Sequence, residues 1–173
     1  MQNMSDPKEL RFPDAGPIPN NPRLPALIYK AAIRLGDDPP ADIERVFREN
    51  GWPPEWRYGI YPFHHYHSTA HEALGVARGS AKVKLGGESG EAVDFAPGDV
   101  AVLPAGTGHR CLQSSDDFLV VGAYPPGQEW DLIRADEPDK KAEAVKRIAR
   151  VPLPESDPVL GKDGPLMRLW TRE

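Results

Sequence analysis

The sequence predicts an all-β fold, a small jelly roll or closed barrel, with helices only outside the barrel. Two observations carry this expectation. Between Trp56 and Tyr124, eight short apolar-rich runs are separated for the most part by Gly, Pro, Asp or Ser, the pattern of short strands joined by turns. The chain also holds 20 prolines in 173 residues, about twice the usual share. Proline breaks helices and is excluded from central strands, so such a chain is cut into short elements. Eight short antiparallel strands hide their edges best by closing on themselves.

Taken in order, the first element is an arm. "MQNMSDPKELRFPDAGPIPN" carries four prolines and no clear period, and we expect it to be extended. In "LPALIYKAAIRLG", Leu24, Leu27, Ile28, Ala31, Ala32 and Leu35 fall at helical spacing before Gly36, which predicts a first helix. A second follows, with Asp38 as its cap, Pro39 in the first turn and Ile43, Val46 and Phe47 on one face. It ends at Asn50-Gly51. "WPPEW" breaks the chain, and the period then changes. Strands are expected near 56–61, 63–67, 72–78, 81–85, 91–95, 100–103, 109–114 and 118–124, with "GGESGE" as a loop. Beyond "YPPGQEW", residues 137–150 place Ala142, Val145, Ile148 and Ala149 at helical spacing, a thin stripe that suits a surface helix. The proline-rich tail should wrap the domain, with Leu166 to Trp170 as an edge strand. We read one domain over 1–173: an arm (1–20), a helical segment (21–54), the barrel (55–125) and a C-terminal helix with a wrapping tail (126–173).

Bulk properties exclude several functions. The net charge is −5 and the pI about 5.6. Phosphate recognition needs concentrated Lys and Arg, and here the basic residues are scattered among acids, so nucleic acid is not an expected partner. The single cysteine, Cys111, rules out a disulfide within the chain. The N-terminus lacks the apolar stretch of a signal peptide, and no apolar run approaches the ~20 residues of a membrane span. We expect a cytoplasmic protein with no membrane partner.

"FHHYHSTAHE" crowds His64, His65, His67 and His71, four of five histidines, ahead of Glu72. A metal site, a surface tract and a set of unrelated histidines are the three explanations. On a strand, alternate side chains share a face, so His65 and His67 point together while His64 and Tyr66 point away. That pair is well placed to share an ion. Glu72, after a four-residue link, would bring a carboxylate, and a barrel can bring His109 of "PAGTGHRC" beside them.

Two longer patterns agree with this. Gly59, five residues, His65-x-His67, four residues, Glu72, six residues and Gly79 form one. Gly98, five residues, Pro104-x-Gly106, two residues, His109, three residues and Gln113 form the other. Together they resemble the two motifs of the cupin superfamily, departing only at Gln113, where that pattern has Asn. The resemblance covers residues 56–124. It implies a double-stranded β-helix, a jelly-roll barrel, with His65, His67, Glu72 and His109 as ligands of one divalent transition metal ion. It also implies turn roles for Gly79, Gly98, Pro104 and Gly106. A carboxylate among imidazoles in a barrel interior is unfavourable unless something pairs with it, and a cation does so.

Other residues receive plainer roles. His64 is a surface or packing histidine. His71 could support the site or, if the link bulges, replace Glu72. Cys111 is a packing residue. Arg57 and Arg78 are salt-bridge partners at the rim or, if they point inward, anchors for an acidic substrate. Tyr61 and Phe63 are pocket wall. Three nitrogens and one oxygen leave open positions on an ion, which suits Fe, Mn, Ni, Cu, Co or Zn without selecting among them. The first expectation is a metal-dependent oxidoreductase of dioxygenase type acting on a small organic molecule. The alternatives are an isomerase or sugar-modifying enzyme using the metal as Lewis acid, and a non-catalytic binding or sensing module. A homodimer is expected, with the arm covering a neighbour's sheet.

Overall fold

The computed structural model describes residues 6–171. In chain order the strands are β1 (Lys8–Leu10), β2 (Ala26–Tyr29), β3 (Pro54–Tyr58), β4 (His65–Tyr66), β5 (Glu72–Arg78), β6 (Ala81–Leu85), β7 (Glu91–Phe95), β8 (Val100–Leu103), β9 (His109–Ser114), β10 (Leu119–Ala123) and β11 (Ile133–Arg134). Three helices accompany them: α1 (Pro39–Glu49), α2 (Lys141–Ile148) and α3 (Pro165–Leu169). A six-stranded sheet has the order β1-β2-β8-β5-β10-β3 and a five-stranded sheet the order β11-β4-β9-β6-β7. All pairings are antiparallel. This is the jelly-roll fold the strand pattern predicts, and seven of the eight expected strands lie within two residues of their predicted bounds at both ends. The exception is 56–61, which forms as Pro54–Tyr58, and of 63–67 only His65 and Tyr66 are paired as a strand.

Side-chain alternation builds the interior. From β5, Leu74 and Val76 meet Val83 and Leu85 of β6 between the two sheets, while Ala73 and Ala77 face the opposite way, toward Ile43 and Phe47 of α1. Gly75 lets that helix approach, since a Cβ there would lie 2.6 Å from the Ile43 side chain. Both faces of β5 are therefore buried, and Glu72 shares the inward parity of Leu74 and Val76.

Helix α1 matches its prediction. Pro39 opens it, the Asp38 carboxylate accepts from the Ala41 N–H at 3.4 Å, and Ile43 and Phe47 are fully buried. The helix expected over 24–35 does not form. Ala26–Tyr29 is instead a strand between β1 and β8, with all four residues buried. A short run buried on both faces carries no period that separates strand from helix. Neighbours on both sides satisfy the strand's backbone, and Ala31, at φ 48°, turns the chain out of it. The tail also departs from expectation: residues 165–169 form α3 and not an edge strand. Pro165 suits a first helical turn, and the Trp170 indole N–H then donates to Pro25 O at 2.8 Å. In α2 the buried residues are Ala144 and Ile148, whereas Val145 is 45% exposed, so the apolar stripe is rotated from its predicted position.

Part of the arm lies in the six-stranded sheet as β1 and part of it props a loop. The Asn20 amide donates to Pro13 O at 2.8 Å and Gly86 O at 3.0 Å, and its carbonyl accepts from the Gly108 N–H at 3.0 Å. Residues 1–5 of the expected arm lie outside the described residues. No helix among the described residues is long and apolar enough to cross a membrane.

Candidate metal centre

The four predicted side chains come from both sheets. His65 on β4 sits directly opposite His109 on β9. His67 follows β4, where its carbonyl accepts from the Gly106 N–H at 2.8 Å. Gly106 has φ 95°, and a Cβ there would lie 2.8 Å from Asn20 O. A glycine is therefore required in the turn that leads into His109. Glu72 opens β5 in the other sheet. All four are buried. Ligand atoms of His65, His67 and His109 lie within 4.8 Å of one another. Glu72 Oε2 is 3.1 Å from His67 Nε2, and Glu72 Oε1 is 3.4 Å from His109 Nε2.

Hydrogen bonds fix what the histidines present. His65 Nδ1 faces Phe63 O at 2.9 Å, His109 Nδ1 faces Thr107 O at 3.1 Å, and His67 Nδ1 faces Asp131 O. A carbonyl only accepts, so each Nδ1 carries the proton and donates it. Each Nε2 is then a lone pair when the ring is neutral, and those of His67 and His109 are the nitrogens that approach Glu72. Burial, with help from His109, pushes His65 down to about 2, so it stays neutral. For His67, burial opposes charge, but the Glu72 carboxylate outweighs it and raises the imidazole. Burial likewise opposes the Glu72 charge, yet the imidazoles of His67 and His109 hold that carboxyl well below its ordinary range. A proton on His67 Nε2 satisfies one oxygen of Glu72. The other, Oε1, has no hydrogen-bond partner among the described residues. Three imidazole lone pairs and a buried carboxylate oxygen without a donor form a cation-ligating set, so the residues present fit a divalent metal.

Residues that spacing did not reveal hold this set in place. The Tyr124 hydroxyl donates to Glu72 Oε2 at 2.6 Å, and the Trp56 indole N–H donates to the Tyr124 oxygen at 2.8 Å. Burial and the nearby Glu72 charge push the Tyr124 phenol far up, so it remains a donor. Gly122 makes room for Trp56, whose ring would lie 2.2 Å from an added Cβ. The Asp131 carboxylate accepts from the Ser68 N–H at 2.6 Å and the Ser68 hydroxyl at 2.5 Å, locking the segment that supplies the carbonyl partner of His67.

The other expectations divide. His64 points away and pairs with Glu88 at 2.6 Å. His71 is also turned from the site: its Nδ1 accepts from the Ala105 N–H at 2.9 Å and its ring meets Trp170 edge-on. Cys111 is half-buried against the core between the sheets. Arg57 lies on the cavity wall, but its guanidinium makes two hydrogen bonds to Glu44, at 2.8 and 2.6 Å. Arg78 is exposed. Tyr61 stacks on Phe63 with ring centres 5.0 Å apart, and both meet His65 edge-on. Only Tyr61 of these two lines the cavity beside the site, which holds ≈ 280 Å³.

The chain is 44% identical over 161 residues to the uncharacterized protein YjlB of Bacillus subtilis, covering 93% of this chain and 94% of that one. It belongs to the same family as YjlB. No family model matches the chain. Among solved structures it is similar to a DUF861 family protein from Thermotoga maritima, at 20% identity and TM-score 0.32, over 52% of this chain and 96% of that one. An oxalate decarboxylase matches at 20% identity and TM-score 0.36, over 62% and 32% of the two chains. The 11S globulin from Wrightia tinctoria matches at 19% identity and TM-score 0.33, over 45% and 21%. The chain thus spans about a third of the decarboxylase and a fifth of the globulin, and likeness at these values says nothing of its chemistry.

Proposed function

We propose that this protein is a cupin acting as a metal-dependent oxidoreductase, of dioxygenase type, on a small organic molecule, with His65, His67, Glu72 and His109 as the ligands of one divalent transition metal ion. One observation carries the reading. Three imidazoles, each with an Nδ1–H bonded to a backbone carbonyl, bring their ligand atoms within 4.8 Å of one another, and beside them lies a buried carboxylate oxygen with no hydrogen-bond partner among the described residues. When bound, such an ion supplies Lewis acidity and a common meeting place for substrate and O2. The backbone carbonyls aim the imidazoles, Tyr124 orients Glu72, and Trp130 lines the cavity. Trp130 and Tyr58 are 44% and 61% exposed, so the cavity they line reaches the surface. That supports an accessible site over a sealed binding module.

The donor set does not choose among Fe, Mn, Ni, Cu, Co and Zn. Elemental analysis of protein prepared without a chelating tag tests the site. Oxygen uptake by Fe(II)- or Mn(II)-loaded protein, against a panel of diols, thiols and keto acids, tests the activity. Absence of bound metal, or no uptake across the panel, would refute the proposal. Turnover that persists without oxygen would favour an isomerase. A homodimer belongs to the same proposal; the arm's β1 pairs with β2 of its own chain and forms the edge of the six-stranded sheet.

A further inference from the structure

The cavity walls differ sharply from its floor. The floor is the ligand set, and the walls are apolar or aromatic. Tyr124 and Trp130 stack on one side, with ring centres 6.0 Å apart and planes at 18°. Tyr58 and Tyr61 meet at 5.8 Å on another. Ile60, Leu74 and Leu132 fill between them. The polar side chains nearest the ligand set are already committed. The Tyr124 hydroxyl is spent on Glu72, the Trp56 N–H on Tyr124, and the Arg57 guanidinium on Glu44. A sugar or polyol would bury hydroxyls without partners, which is unfavourable.

Charge narrows the class further. A divalent ion held by neutral imidazoles and the one carboxylate of Glu72 leaves a single net positive charge. A ligand that arrives as a monoanion leaves the cavity neutral. A dicarboxylate leaves an excess negative charge against apolar walls with no free cation. Size sets the last bound. At ≈ 280 Å³ the cavity sits at the lower edge of the ~300–1,000 Å³ span of small-molecule sites, room for one ring.

From these features, and resting on the metal reading above, we infer that the site takes a planar single-ring molecule bearing two adjacent oxygens, bound as a monoanionic chelate, with its ring between the Tyr124–Trp130 pair and the Tyr58–Tyr61 pair.

Four probes test this on full-length protein loaded with Co(II), whose visible spectrum reports changes in coordination. Catechol has both the ring and the oxygen pair. Phenol lacks the second oxygen, ethylene glycol lacks the ring, and malonate chelates as a dianion without a ring. Catechol is expected to perturb the Co(II) spectrum and to bind at least about tenfold more tightly than each of the other three, a difference of ~1.4 kcal/mol or more. Trp130→Ala is expected to weaken catechol at least about fivefold, at Co(II) content measured in the same sample, because base- or ring-stacking on one aromatic face is worth roughly 1–3 kcal/mol. Malonate or glycol binding as tightly as catechol would overturn the class, and phenol matching catechol would overturn the chelate. Uptake of Co(II) is measured first. Failure at that step sinks the metal reading and this inference with it, whereas stoichiometric Co(II) with no response to catechol sinks the inference alone.

Discussion

Tyr124→Phe separates a ligand-orienting role from mere packing. The substitution keeps the ring, and with it the stack on Trp130 at 6.0 Å, so no void opens. It removes one atom that does two things: it donates to Glu72 Oε2 at 2.6 Å and accepts from the Trp56 N–H at 2.8 Å. A hydrogen bond to a charged group contributes about 1.5–3 kcal/mol, and stranding a buried donor costs about 1–3 kcal/mol. The metal-free protein should therefore lose ~1–3 kcal/mol in urea unfolding. Metal affinity is the more telling quantity. Glu72 is held between Tyr124 and His67, and without the phenol its carboxylate can rotate away from the three Nε2 atoms. Loss of such an outer partner lowers metal affinity about 10–100-fold. Competition of Co(II) or Mn(II) against a chromophoric chelator measures this directly. An affinity within about twofold of wild type, alongside the lower stability, would show that Tyr124 only packs and that Glu72 needs no orientation.

Three further outcomes are expected. His67→Ala should hold less than about a tenth of the wild-type metal, since an incomplete ligand shell binds poorly, while His64→Ala, on the opposite strand face, should keep its metal; elemental analysis of the two side by side checks the register of β4. Gly122→Ala should drive its Cβ into Trp56, destabilise the fold by about 1–3 kcal/mol through overpacking and shift the tryptophan fluorescence, and an unchanged spectrum with unchanged stability would contradict the close approach of 2.2 Å. Arg57 holds the Glu44 carboxyl below its ordinary range, so this pair stabilises the fold above the unfolded carboxylate value of about 4.3 and loses that contribution as pH falls through the lower folded value. Glu44→Gln should flatten that part of the stability–pH curve in acid and, by freeing Arg57 at the cavity wall, tighten malonate binding; a curve and a malonate affinity both like wild type would refute the pairing.

The barrel and the clustering of His65, His67 and His109 were legible because each rests on short-range rules. Alternation separates His65 and His67 from His64 within three residues, and fixed spacing carries Glu72 and His109. Where the chain is buried on both faces, the pattern fails. Ala26–Tyr29 has no polar side to set its period, and only pairing with β1 and β8 decides that it is a strand. Residues 165–169 were misread for a related reason, as the prolines of the tail give no repeating pattern to count. The outer partners were out of reach altogether. Tyr124, Trp56, Asn20 and the Asp131 carbonyl act through contacts 52 to 88 positions apart, and "YPPGQEWD" reads locally as a break although it folds over His67.

The division of ligands between sheets has a mechanical consequence. His65, His67 and His109 belong to the β4–β9 side and Glu72 to the β5 side, so nothing in one sheet's hydrogen bonding fixes the distance between the carboxylate and the imidazoles. That distance is set by what crosses from sheet to sheet. The apolar packing of Leu74 and Val76 on Val83 and Leu85 does so away from the site, and the His67–Glu72 contact does so at it. Around the site, two segments add constraint: Asn20 holds the Gly86 and Gly108 turns from the arm, and residues 128–131 tie the His67–His71 link through Gln128, Glu129 and Asp131. A cation shared by all four ligands would be a further crosslink between the sheets. Binding energy at the site would then be folding energy for the sandwich, and a bound metal would help determine the barrel's closure as well as the proposed chemistry.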